Sequence, residues 1–174
     1  MARMGKMFFQ KSTFNVNIGG WDVSSVTDMD SMFLGATAFN QDISMWDVGS
    51  VTTMKQMFQA AVAFDQDISN WNVSALKDAS VMFRQSAFNQ NLNSWDVSSV
   101  TTMKEMFHQT PFNSDIGGWD VSSVTIMTSM FSSATAFNQD ISNWNVSSVI
   151  GCRLMFRLAP AFNGDIHVSK CSCF

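Results

Sequence analysis

Charge is the first thing this chain is short of: Asp, Glu, Lys and Arg make up only 14% of its 174 residues, against about a quarter in an ordinary soluble domain. The balance is mildly acidic, with a net charge of −4 and a pI near 4.8, so a nucleic-acid backbone is excluded as the natural partner. Histidine is almost absent. His108 and His167 sit at unrelated places, with no Ser/His/Asp or phosphate-loop pattern around either, so no catalytic set assembles and no enzyme is expected. The three cysteines, Cys152, Cys171 and Cys173, all fall near the end and are too few for a structural zinc site, which takes four ligands. They read either as small inward-facing hydrophobes or as a disulfide stapling the last two repeats. There is no run of 18 apolar residues, which excludes a transmembrane helix. The opening MARMGKMFFQ lacks the apolar stretch of a signal peptide.

What is abundant is repetition. Trp21, Trp46, Trp71, Trp95, Trp119 and Trp144 recur every 24 or 25 residues, and Phe8, Phe33, Phe58, Phe83, Phe107, Phe131 and Phe156 keep the same step. A fixed period of this size marks an architecture in which each unit buries its apolar face only against its neighbours. Phe, Met and Trp number 16, 14 and 6 and supply most of the core.

One unit, residues 39–58, reads FNQDISMWDVGSVTTMKQMF. Ile43, Trp46 and Val48 follow an L-x-x-L-x-L spacing, which predicts a short strand at Trp46–Val48 with Asp47 pointing out. Met54, Met57, Phe58 and Ala61 stand at i, i+3, i+4 and i+7, which predicts a short amphipathic helix capped by the hydroxyl residues before it. Pro111 and Pro160 and the one-residue deletions all fall between that run and the next Phe, the place for an outer bend. The expected fold is therefore α/β: a leucine-rich-repeat-like solenoid of about seven repeats of 24–25 residues, with short parallel strands on one face and short helices on the other. It forms one domain over residues 1–174, with incomplete first and last repeats and no linker. The two ends stop at the same phase, leaving Met7 and Phe8 bare on one and Ile166 and Val168 on the other, so head-to-tail self-association is a further expectation.

Four columns could carry chemistry. The Trp column could grip sugars, but its phase relative to Ile43 and Val48 places it in the core. Asn15, Asn40, Asp65, Asn89, Asn113, Asn138 and Asn163 form a second column, and Asn17, Asp42, Asp67, Asn91, Asp115, Asp140 and Asp165 a third. These read as Asx residues bonding corner backbone groups. Calcium is the rival reading, but it wants several oxygens, and the glycines of calcium-binding nonapeptide repeats are missing. No metal and no cofactor is expected. The fourth column, Asp22, Asp47, Asn72, Asp96, Asp120 and Asn145, is outward and polar on the expected sheet face and is the candidate binding surface. Asn72-Val73-Ser74 and Asn145-Val146-Ser147 are also glycosylation sequons, discounted here because both fall in expected strands.

The phrase FNQDISxWDVSSVTxMxxMF resembles the repeat of the BspA-like leucine-rich-repeat surface proteins, in the short form found among mycoplasma surface lipoproteins and some algae; residues 4–168 carry it. The resemblance implies a non-enzymatic binding or adhesion module at the cell surface, with a protein or glycan partner. The alternative is a structural subunit held through its ends in a larger assembly or filament.

Overall fold

The computed structural model describes residues 2–164. Asp165, Ile166, His167, Val168, Cys171 and Cys173, which figure among the expectations, lie outside that range.

The repeats are joined by backbone hydrogen bonds. The N–H groups of Met29, Ser31, Phe33 and Gly35 donate to the carbonyls of Thr53, Lys55, Met57 and Gln59 in the next repeat, at 2.8–3.0 Å. The same four-bond ladder links every successive pair of described repeats, from Met4, Lys6, Phe8 and Gln10 through to Met127, Ser129, Phe131 and Ser133. The intervening N–H groups close local turns. Met32 donates to Met29 and Ala36 to Phe33, at 3.2 and 2.9 Å, with Ser31 (φ 57°) and Gly35 (φ 70°) at the third turn position. A positive φ there defines a type II turn.

This corrects the expected helix. Among the described residues there is no α-helix, and residues 54–61 are turns that send every second N–H into the neighbouring repeat. The predicted face is nonetheless the buried one: Met54, Met57, Phe58 and Ala61 are all fully enclosed. Both conformations turn those four positions to one side, so apolar spacing cannot separate them. So short a run makes a marginal helix by itself, whereas a stacked copy offers a carbonyl to every second donor.

The strand expectation is corrected as well. The paired backbone lies just before the first Met of each unit, not at Trp46–Val48. Strand β1 (Ala2–Arg3) pairs in parallel with β2 (Val26–Asp28), and the pairing runs on as single bridges from Asp28 to Thr53, Asp78, Thr102, Ile126 and Gly151. Trp46-Asp47-Val48 does alternate buried, exposed, buried. That alternation is set by turns closed from Trp46 N–H to the Ile43 carbonyl and from Val51 N–H to the Val48 carbonyl, at 3.1 and 2.9 Å.

The core is a set of aromatic stacks. Within a repeat Phe33 lies 3.9 Å from Phe39, ring centre to ring centre, and each stacks on its counterpart in the next repeat. Across repeats the Phe33–Phe58 centres are 5.6 Å apart, while Trp46–Trp71 are 6.5 Å apart with planes within 5°. These centre-to-centre distances exceed the about 4.8 Å between neighbouring strands, as offset rings do. Trp46, Trp71, Trp95, Trp119 and Trp144 are buried, and Trp21, in the first repeat, is 37% exposed. Cys152 is buried and disulfide-bonded.

Candidate binding column

Asp22, Asp47, Asn72, Asp96, Asp120 and Asn145 are all exposed, and they recur once per repeat outside the bridged ladder. Each makes an Asx turn: its Oδ1 accepts the backbone N–H two residues on, from Ser24, Gly49, Ser74, Ser98, Ser122 and Ser147, at 3.0–3.2 Å. Such turns arise because a short Asx side chain reaches that N–H without leaving its own rotamer wells. Ser24, Ser74 and Ser98 add a hydroxyl donor to the same oxygen at 2.6, 2.8 and 2.6 Å. The Ser hydroxyl and then the backbone N–H hold the carboxyls of Asp22, Asp96 and Asp120 below their ordinary pKa. Asp120 works slightly against this at Asp96, as a like charge does. The six positions therefore present a row of fixed polar groups, each with one terminal atom in its turn and the other outside it.

The third column makes the same turn five residues earlier. Asn17, Asp42, Asp67, Asn91, Asp115 and Asp140 accept the N–H of Gly19, Ser44, Ser69, Asn93, Gly117 and Ser142 at 2.9–3.0 Å. At Asp42, Asp67 and Asp140 the backbone bond, then the Ser side chain, lowers the carboxyl pKa. At Gly19 and Gly117 the backbone comes closer to the next repeat than a side chain allows, since a Cβ would lie 2.6 and 2.5 Å from the Asp42 and Asp140 carbonyl oxygens, whereas Ser44, Ser69, Asn93 and Ser142 hold this position in other repeats.

The second column does something different. Asn40 N–H donates to Asn15 Oδ1, Asp65 to Asn40, Asn89 to Asp65, Asn113 to Asn89, Asn138 to Asn113 and Asn163 to Asn138, at 2.8–3.2 Å. This is an unbroken ladder that satisfies one corner donor per repeat. Gln41, Gln66 and Gln139 reach back to the same oxygens at 2.9–3.0 Å. Among the described residues, no group of three or more His, Cys, Asp or Glu is placed to hold a metal ion.

Away from these columns, Arg84 pairs with Glu105 at 2.8 Å and Lys104 with the same carboxylate at 3.5 Å. His108 stands nearby, its pKa lowered by burial first and then by Arg84. Arg84 Nε and His108 Nδ1 are buried with no hydrogen-bond partner. This group was not legible in the sequence, because Arg84 and His108 share one phase of adjacent repeats that other repeats fill with Leu34, Gln59 and Ser132, and Glu105 comes from a different phase. No helix among the described residues is long and apolar enough to cross a membrane.

No curated protein and no solved structure matches the chain. A family model described as a Mycoplasma protein of unknown function, DUF285, matches residues 1–93 and again residues 85–172. The mycoplasma part of the resemblance is thus shown, while leucine-rich-repeat membership is not part of that match. Two matches that overlap are what a short internal repeat gives, since the register can restart at any unit. The chain belongs to this Mycoplasma-associated DUF285 family.

Proposed function

We propose that the chain is a non-enzymatic binding module of the solenoid kind, presenting the column Asp22, Asp47, Asn72, Asp96, Asp120 and Asn145 to a protein or glycan partner at a cell surface. The observation that supports this reading is the Asx turn at every one of the six positions. A side chain already fixed by its own backbone loses little entropy when a partner bonds its second atom. A regular row of such groups suits a partner that repeats polar contacts along its length, as a glycan chain or an extended peptide does.

Arrayed glycans and extended peptides are the test, with the double variant Asp96→Asn, Asp120→Asn as comparator. Asn already occupies the column at 72 and 145, so that variant keeps both turns while removing two charges. Loss of the wild-type ligands in the variant, with unchanged melting, is the expected result. Equal binding by the two proteins removes the column from consideration.

A further inference from the structure

The charges of this chain are sorted by side. Nine of its ten lysines and arginines fall in the bridge-and-turn segment of a repeat, residues 27–36 or their counterparts; the tenth, Lys170, lies outside the described residues. That segment holds four carboxylates, a net charge of +5, whereas the three Asx columns carry nine described aspartates and no cation. The two sides back onto each other through the core, where Phe33 of one and Trp46 of the other lie 6.3 Å apart. On the ladder side the carboxylates are half-buried and occupied. Asp28 and Asp78 accept the N–H groups of Asp30 and Ser80 at 2.9 and 2.8 Å, and Asp30 accepts the Ser31 hydroxyl at 2.7 Å. Glu105 pairs with Arg84 and Lys104. By contrast Lys6, Lys11, Lys55, Lys77, Arg153 and Arg157 are exposed and form no ion pair among the described residues.

Apolar side chains stand among these cations. Phe9 holds the position that Arg84 and Arg157 hold in other repeats, and Ile150 the position of Lys77; both are exposed, Ile150 by 83%. Ile126 and Leu158, also exposed, lie on the same side. The Asx side of a second copy would match the charge but presents mainly short polar side chains to this apolar surface. An anionic lipid surface matches both, since its headgroups attract lysine and arginine while the layer beneath them takes up apolar side chains. We propose that the ladder side is a peripheral docking surface for an anionic phospholipid membrane, on which the chain lies with its Asx columns turned away from the lipid. The net charge of −4 does not oppose this, because repulsion is screened beyond a Debye length of about 8–10 Å at physiological salt and the nine aspartates are on the far side. The inference does not depend on the Asx column binding a partner.

Vesicle co-sedimentation of the full chain is the test, with phosphatidylcholine alone against phosphatidylcholine and phosphatidylglycerol in equal parts. Binding to the anionic vesicles only, weakening as salt is raised, is expected. The comparator is the combined variant Lys55→Ser, Lys77→Thr, Arg153→Thr, Arg157→Gln, in which each new residue already holds that position in another repeat, as Ser80, Thr52, Thr128 and Gln59 do. It should melt like wild type and bind at least about tenfold more weakly. Ile150→Thr with Phe9→Gln should lower the binding that persists in high salt. Asp96→Asn with Asp120→Asn should bind the vesicles as wild type does, so the lipid side and the Asx column stand or fail separately. Equal binding to both vesicles, no binding to either, or binding unchanged in the combined variant overturns the proposal. Salt-sensitive self-association without vesicle binding overturns it in favour of a second copy.

Discussion

The indole Nε1–H of Trp95 donates to the backbone carbonyl of Ile68 at 3.1 Å, across 27 residues of sequence. Trp46, Trp71, Trp119 and Trp144 make the same bond to Ile18, Ile43, Leu92 and Ile116. A buried indole must satisfy its donor, and here each does so on the preceding repeat. The Trp column thus fastens neighbours together as well as filling the interior, which leaves no face of Trp95 for a sugar.

Trp95→Ala should therefore cost about 3–5 kcal/mol, the range for emptying a large buried aromatic site; the Ile68 carbonyl keeps the Trp71 N–H as a partner, at 3.1 Å. Asp96→Asn, one residue on, keeps its turn oxygen and should leave the urea midpoint close to wild type. Equal midpoints for the two variants would show that the indole is not buried as described.

The left-handed turn positions give a prediction whose sign distinguishes turn from helix. Val81 holds φ at 63°, a conformation that costs an L-residue roughly 1–2 kcal/mol and that a β-branched side chain tolerates worst. Val81→Gly should stabilise the protein, by about 1 kcal/mol. In an α-helix glycine would instead be less favourable than most residues by up to about 1 kcal/mol. Gly35→Ala, at φ 70° with a Cβ 3.4 Å from Gln10 Cγ, should destabilise. Paired chemical denaturation curves decide both.

Period and facing were legible in the sequence; conformation was not. Met54, Met57, Phe58 and Ala61 are buried where their spacing puts them, and Trp46, Asp47 and Val48 alternate as read. Apolar spacing reports which side a residue faces, and a helix and a run of overlapping turns share that answer. What decides between them is the destination of each N–H. Phe33 sends its own to Met57, 24 residues ahead, and no local pattern encodes a partner at that distance. The Thr53 bridge to Asp78 and to Asp28 left a trace in the recurring Val-Thr before each Met, but those residues also suit a helix cap. The six column residues were legible as outward because a short polar side chain between two apolar ones has nowhere else to go. Their Asx turns account for the recurring Ser two residues on.

The Asn ladder can be tested by removing one oxygen. Asn40 Oδ1 serves Asp65 N–H at 3.0 Å and Gln66 Nε2 at 2.9 Å, so Asn40→Ala leaves two donors without their acceptor. The cost should fall near the low end of about 0.5–1.5 kcal/mol, because water can reach this corner. Asn40→Asp should be far milder, since Asp65 plays the same part for Asn89 at 2.8 Å. Comparable losses in the two variants would mean that the amide nitrogen, not the oxygen, matters here.

Acid should destabilise the protein in two stages. His108 has its pKa lowered, by burial first and then by Arg84, against a partial opposing pull from Glu105. The unfolded chain therefore binds the His108 proton first, at about pH 6.5, and stability present above that value is lost as pH falls towards the folded pKa. Asp22, Asp42, Asp67, Asp96, Asp120 and Asp140 follow the same sign, since hydrogen bonds from the serines lower each of them. Their contribution is complete above about pH 4 and disappears as protonation removes the charge that those bonds favour. Thermal melts from pH 8 to pH 3 should fall once near neutrality and again, more steeply, in acid. His108→Gln should erase the first fall alone, and Asp96→Asn with Asp120→Asn should shrink only the second. A melting midpoint that rises between neutrality and pH 4 would contradict both assignments.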